Sequence, residues 1–242
     1  MVGGIMQPVK PVIMDFESRL NAAEAVAELI ANLLAEDLKV SERAVFLSSG
    51  GSTPVTTLEL LSKKQIEWSK VQVGLVDDRC VPDTHEASNA GLIRNHLLQD
   101  AAAPARFEPM IEEMKSLPEL SENANARYEG LLPATVSLLG MGLDGHTASW
   151  FPGAKNLGAA LSETTQTVIG IDATGCPVAG SITDRLTISR SAVAKSNRGI
   201  LLIFGDEKRE VLLNAISKPV SEAPIRAAIE DLGDRLIIAW AP

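Results

Sequence analysis

The stretch Ala-Val-Phe-Leu-Ser-Ser-Gly-Gly-Ser-Thr-Pro at residues 44–54 predicts a strand, a glycine turn and the start of a helix that runs to about residue 63. Adjacent glycines accept positive φ and can direct consecutive N–H groups at one point. Pro54 suits a first helical turn, whose free N–H groups attract anions. The stretch lacks the spacing and the lysine of a Walker A loop. It predicts either a plain tight turn or, as we favour, an anion site made by Gly50, Gly51, Ser52 and Thr53.

Outside this stretch, short apolar runs alternate with segments of helical periodicity. Further strands are predicted at 71–78, 135–142, 167–171, 185–189, 199–204 and 235–240, and further helices at 18–36, 88–98, 118–131, 206–216 and 223–231. This alternation predicts an α/β fold: a doubly wound, mostly parallel sheet flanked by helices on both faces, in a Rossmann-like three-layer sandwich. Ligands of such sheets bind beyond the carboxyl ends of the strands, so we expect the functional site there.

The composition limits the classes of function. The 242 residues show no linker, and we expect one domain over residues 1–242. A net charge of −9 and only 3 Trp, 1 Tyr and 5 Phe argue against a nucleic-acid partner. Two cysteines without a CxxC pattern favour the cytoplasm and no disulfide. No apolar run is long enough for a membrane span, and residues 1–14 do not resemble a signal peptide. We expect a monomer or a weak homo-oligomer.

A second chemically informative segment is Val-Asp-Asp-Arg-Cys-Val-Pro at residues 76–82, at the end of a predicted strand. Asp77, Asp78 and Arg79 could form a solvated loop with an internal ion pair. The functional interpretation is that Arg79 points into the cleft while a carboxylate fixes its direction. Cys80 is interpreted as a small buried residue and not as a nucleophile.

The third segment is Gly-Met-Gly-Leu-Asp-Gly-His-Thr-Ala-Ser at residues 140–149. Its GxGxxG pattern suggests a dinucleotide site, but the helix expected next meets Trp-Phe-Pro-Gly at 150–153, and no acidic residue ends a strand about twenty residues on. His146, predicted just inside a helix N-terminus, would be kept neutral by the helix dipole and could act as a general base oriented by Asp144. The alternative is a capping histidine. His96 is interpreted as structural.

Together these segments resemble the 6-phosphogluconolactonase family, a sister of glucosamine-6-phosphate deaminase. The matching stretches are SGGSTP at 49–54, VDDRCVP with His85 and Ser88-Asn89 at 76–89, and LLGMGLDGHTASWFPG at 138–153. The resemblance implies hydrolysis of 6-phospho-D-glucono-1,5-lactone to 6-phosphogluconate, with no metal and no cofactor.

The resemblance also implies roles for single residues. His146 would activate water, and Asp144 would orient it. The turn at 50–53 and Asp77 would help to hold the substrate, and Arg79, Arg185 and Lys208 would supply positive charge to its oxygens. The chain departs from the family in having Asp77-Asp78 for Asp-Glu and in lacking a proline- and lysine-rich stretch before Arg185. Which cation binds the phosphate stays open here.

Two other functions resemble this pattern less well. In the deaminase the third motif continues into Asn-Glu-Pro, whereas Ser-Trp-Phe-Pro follows here at 149–152. A sugar-phosphate-sensing regulatory domain would normally come with a DNA-binding segment, which the acidic charge and the short stretch before the first predicted helix do not favour.

Overall fold

A computed structural model of the chain describes residues 11–242. The strands are β1 (Val12–Asp15), β2 (Ala44–Ser48), β3 (Val71–Leu75), β4 (Asp77–Arg79), β5 (Arg106–Phe107), β6 (Val136–Leu139), β7 (Val168–Asp172), β8 (Asp184–Ile188), β9 (Arg198–Phe204) and β10 (Leu236–Ala241). The helices are α1 (Arg19–Asp37), α2 (Val55–Ser62), α3 (Asn89–His96), α4 (Leu117–Tyr128), α5 (Leu157–Leu161), α6 (Arg190–Ala194), α7 (Asp206–Ala215) and α8 (Ile225–Leu232). Most of the stretch judged for a signal peptide, residues 1–10, lies outside the described residues.

Seven strands form one parallel sheet in the order β1-β10-β9-β6-β2-β3-β5. Helices flank this sheet: α2 packs between α1 and α3, and α8 packs on α6 and α7. Every residue of β2 and β6 is buried, as expected for central strands covered on both faces. The prediction of a doubly wound, mostly parallel α/β sandwich is confirmed.

A second sheet of three antiparallel strands, β4-β8-β7, was not predicted. The runs expected at 167–171 and 185–189 are strands, but they form a hairpin in this smaller sheet. The predicted strand at 71–78 is divided at Val76. The Val76 amide donates to the Ser48 carbonyl in β2 (3.0 Å), and the Val76 carbonyl accepts from the Ile188 amide at the end of β8 (2.9 Å). Val76 therefore joins the two sheets.

Several elements differ from the predictions because their stabilisation is tertiary. β1 forms at the sheet edge by pairing with β10, although its four residues are exposed. The short elements β5, α5 and α6 carry too little periodicity to be recognised. Both cysteines are free thiols. Among the described residues, no helix combines the length and the apolar character that crossing a bilayer requires.

Candidate functional site

The three predicted segments meet at one cavity of about 310 Å³ at the carboxyl edge of the parallel sheet. It is bounded by the turn after β2, by β4 and the start of α3, by the loop after β6 and by the first turn of α7. The cavity is lined, among others, by Gly50, Gly51, Ser52, Thr53, Asp77, Arg79, Asn89, Gly142, His146, Ala148 and Lys208. Its volume is at the small end of ligand pockets, which suits a small substrate better than a dinucleotide.

The glycine turn leads directly into α2. Gly51 has φ of +80°, a conformation that glycine adopts without strain. Gly50 is required for a different reason: a Cβ there would lie 1.9 Å from Oδ1 of Asn89. The turn thus combines an exposed hydroxyl residue, Ser52, with backbone at the start of a helix, the arrangement that attracts anions.

The loop after β6 holds a paired histidine. Nδ1 of His146 lies 2.5 Å from Oδ1 of Asp144, and the His146 amide donates to the same oxygen at 3.2 Å. Burial raises the pKa of Asp144, but the hydrogen bond and charge interaction with His146 outweigh it, so the pKa lies below its usual value. An ionised carboxylate only accepts hydrogen bonds. Nδ1 therefore carries the hydrogen. In the neutral form of this half-buried imidazole, Nε2 is then the nitrogen that can accept a proton.

The expected helix N-terminus at His146 is wrong, because residues 140–153 are turns and bends without a helix. The dipole argument for a neutral imidazole does not apply. The loop is instead held by its own contacts. The Gly142 amide donates to the His146 carbonyl (2.9 Å), the Ile225 amide donates to the Gly145 carbonyl (2.9 Å), and the His146 ring packs on Phe151 with centroids 4.5 Å apart.

Arg79 faces the cavity but is not oriented by a carboxylate, which corrects the sequence-based expectation. Its Nη1 donates to Oδ1 of Asn89 and to the Ala87 carbonyl, both at 2.8 Å. Asp78 instead accepts hydrogen bonds from the backbone amide of Arg79 and from the amides of Asn89 and Ala90 at the start of α3. Burial, together with a smaller effect of the neighbouring Asp77 charge, raises the pKa of Asp78 to about 7 against these three hydrogen bonds.

Two residues without a predicted role belong to the site. Asn89 contacts Arg79 and also donates to the Asp77 carbonyl at 2.8 Å. Ser149, fully buried, donates from Oγ to Oδ2 of Asp77 at 2.6 Å and so ties the histidine loop to β4. Both occur in the motifs quoted above, but only the three-dimensional contacts reveal what they hold.

The two remaining predicted cations differ in position. Lys208, in the first turn of α7, lines the cavity, and burial lowers its pKa. Arg185 is not among the cavity-lining residues: it is only 4% exposed, donates to the Ala179 carbonyl (2.6 Å) and lies over the Phe151 ring at 5.7 Å. Burial and the neighbouring Arg79 lower its pKa. Lys208 therefore lines the cavity, whereas Arg185 is buried behind the residues that line it.

Other candidate groups do not contribute chemistry here. His96 binds Glu59 at 2.9 Å on the surface, away from the cavity. Burial raises the pKa of the Cys80 thiol to about 12, which makes it a poor nucleophile. Within residues 11–242 no cluster of three or more His, Cys, Asp or Glu side chains could hold a metal ion.

An anion-attracting turn, a lysine, an arginine and a His–Asp pair around one small cavity define a class of α/β proteins that act on small anionic substrates. More particularly, the chain belongs to the glucosamine-6-phosphate isomerase/6-phosphogluconolactonase family, whose model matches residues 17–237. The predicted resemblance is confirmed.

Relatives with sequence similarity carry the lactonase name. The chain is 38% identical over 229 residues to 6-phosphogluconolactonase of Xylella fastidiosa strain 9a5c, covering 94% of this chain and 95% of the relative. It is 40% identical over 230 residues to that of Rhizobium meliloti, covering 94% and 97%. The crystal structure of a 6-phosphogluconolactonase from Shewanella baltica superposes with a TM-score of 0.91 at 32% identity, covering 98% of this chain and all of the other.

Proposed function

We propose that this chain hydrolyses 6-phospho-D-glucono-1,5-lactone to 6-phospho-D-gluconate, a reaction of the oxidative pentose phosphate pathway. One observation carries the proposal: the 2.5 Å His146–Asp144 pair lies in the same small cavity as the glycine turn and Lys208. The relatives at 38% and 40% identity support the same substrate. The substrate is then a small sugar-phosphate lactone, with neither a nucleic acid nor a membrane as partner.

In the proposed mechanism, Nε2 of His146 removes a proton from water, and the resulting hydroxide attacks the lactone carbonyl. The tetrahedral intermediate collapses with cleavage of the bond between the carbonyl carbon and the ring oxygen. The departing ring oxygen takes the proton back from the imidazolium and becomes the free hydroxyl of the product. Asp144 stabilises the imidazolium through its short hydrogen bond to Nδ1.

In the proposal, the position of each cationic residue decides which group of the substrate it binds. The phosphate is held by Lys208 and by the turn at Gly50, Gly51, Ser52 and Thr53. The turn leads into a helix N-terminus, which attracts anions, and Lys208 makes no ion pair with residues 11–242. Arg79 faces the carbonyl oxygen, on which negative charge develops. Arg185 adds positive charge from its buried position behind the cavity wall. The Asp77 carboxylate accepts a hydrogen bond from a sugar hydroxyl. The mechanism needs neither a metal nor a cofactor.

The proposal is tested by a coupled assay. Glucose-6-phosphate dehydrogenase makes the lactone in situ, and 6-phosphogluconate dehydrogenase reports its hydrolysis. We expect wild type to exceed the spontaneous rate clearly and His146→Ala to lose at least about 100-fold in kcat, the usual contribution of a general base. The matched control is His96→Ala, which removes a surface histidine that also binds a carboxylate.

Each outcome of this assay decides a separate statement. A wild type no better than buffer contradicts lactone hydrolysis, and release of ammonia from glucosamine 6-phosphate would then indicate the deaminase activity of the same family. An active His146→Ala variant leaves the reaction in place but removes His146 as the base.

We further propose that the chain acts in the cytoplasm as a single domain and as a monomer or weak homo-oligomer. Two free thiols fit a reducing compartment. Sedimentation at micromolar concentration tests the assembly state, and a stable dimer would contradict it.

A further inference from the structure

We propose that Asn89 is a positioning residue that holds the Arg79 guanidinium in the cavity against repulsion from Arg185. This inference rests on the proposed function in so far as Arg79 acts on the lactone carbonyl. Asn89 itself need not react with the substrate.

The side chain of Asn89 uses both ends of its amide. Oδ1 accepts from Nη1 of Arg79 at 2.8 Å, and Nδ2 donates to the Asp77 carbonyl at 2.8 Å. The residue is only 2% exposed. A buried amide satisfied at both ends has a fixed orientation, because turning it over would bring its NH₂ group against the guanidinium.

The backbone around Asn89 is fixed independently of its side chain. Asp78 accepts the Asn89 amide at 2.7 Å and the Ala90 amide at 3.0 Å, and Ser88 caps the same end of α3. On the opposite side, Gly50 leaves the space that the Asn89 side chain fills, since a Cβ at residue 50 would lie 1.9 Å from Oδ1. Asn89 therefore connects the anion-binding turn with the strand that bears Arg79.

A neutral holder is needed because a like charge lies next to Arg79. Arg79 and Arg185 are directly opposite in the antiparallel β4–β8 pair, and the charge of Arg79 is one of the causes that lower the pKa of Arg185. Without Asn89, the Ala87 carbonyl is the one hydrogen-bond acceptor left to the Arg79 guanidinium among residues 11–242. Repulsion between the guanidinium groups would then favour rotamers of Arg79 that leave the cavity.

The first test is a double-mutant cycle on kcat/KM with Asn89→Ala, Arg79→Ala and the double variant. We expect Asn89→Ala to lose about ten- to one-hundred-fold, as for the loss of a hydrogen bond to a charged group. The double variant should be no worse than Arg79→Ala alone, since Asn89 acts through Arg79. Losses that multiply would show that Asn89 acts independently and would overturn the proposal.

A matched control separates positioning from stability. Asn125 in α4 also uses its Oδ1 for hydrogen bonds, to the Thr167 and Val168 amides, but it lies outside the cavity. Asn125→Ala should lower the melting temperature and leave kcat/KM within about twofold of wild type, as expected for a change away from the site. If Asn125→Ala lowers kcat/KM as much as Asn89→Ala does, lost stability explains both and the positioning role fails.

The second test needs no turnover. Side-chain ¹⁵N NMR should show restricted rotation of the Arg79 guanidinium in wild type and averaged signals in Asn89→Ala. Free rotation already in wild type would overturn the proposal without any variant. Absence of lactone hydrolysis by wild type would instead contradict the proposed function, and the NMR result would still decide the role of Asn89.

Discussion

Asp144 serves His146 through one oxygen, which accepts from both the ring and the His146 backbone amide. In Asp144→Asn the backbone amide should keep the amide oxygen turned toward the ring, so the tautomer survives while the charge is lost. We expect Asp144→Asn to lose about tenfold and Asp144→Ala about 100-fold in kcat, within the range of general-base catalysis. The coupled assay measures both. Equal losses would show that the charge, and not the orientation, is what His146 requires.

Gly142 gives the histidine ring its space. A Cβ at residue 142 would lie 2.2 Å from Cε1 and Nδ1 of His146 and 2.7 Å from Oδ1 of Asp144. Gly142→Ala should therefore displace the pair and lower kcat/KM at least about 100-fold, because a misplacement of about 1 Å costs that much. Gly158→Ala is the control, since a Cβ there meets nothing within 4 Å. A Gly142→Ala variant with wild-type kinetics would show that the ring has another place to go.

The sequence predicted the residues that line the cavity better than it predicted how they are held. The glycine turn, Arg79, His146 and Lys208 all reach it, because each follows a strand whose carboxyl end lies at that edge. The helix at His146 and the carboxylate partner of Arg79 were wrong. The histidine loop is held by Ile225, far along the chain, and Arg79 is held by Asn89, which only the turn before α3 brings beside it. Local patterns encode neither contact.

The start of α3 depends on Asp78, whose pKa burial raises to about 7. A carboxyl group with a raised pKa binds more protons in the folded state than in the unfolded state. Its contribution to the free energy of unfolding is therefore present at low pH and is lost as the pH rises from about 4 through 7. The free energy of unfolding of wild type relative to Asp78→Asn should fall by on the order of 3 kcal/mol between pH 4 and pH 8. Urea unfolding of both proteins measures it. A pH-independent difference would contradict the raised pKa.

The main sheet was predictable because each of its longer strands is a short apolar run between helices. The second sheet was not, because β7 and β8 read as the same kind of run. Their sheet is attached to the main one at Val76, where one extended segment leaves the first sheet and enters the second. No residue type marks that point in the sequence.

The hydrogen bonds of Val76 and the contacts of the histidine loop connect the two sheets, so we expect them to unfold together. Calorimetry should give one transition with equal calorimetric and van't Hoff enthalpies. Adding 6-phosphogluconate at 100 times its dissociation constant should stabilise the folded state by about 2.7 kcal/mol. Two transitions, of which only one responds to the ligand, would show that the sheets are separate units.

The hydrogen bonds that hold the histidine loop limit the use of this motif in other proteins. Residues 140–153 take their shape from the Ile225 amide, the Thr187 hydroxyl and the Ile188 carbonyl, which bind Gly145, Ser149 and Trp150. These three partners belong to segments that follow the loop by dozens of residues. A graft of the fourteen-residue motif onto another scaffold would therefore transfer its sequence without its conformation. Protein engineers would have to transfer the segments that pack against it as well.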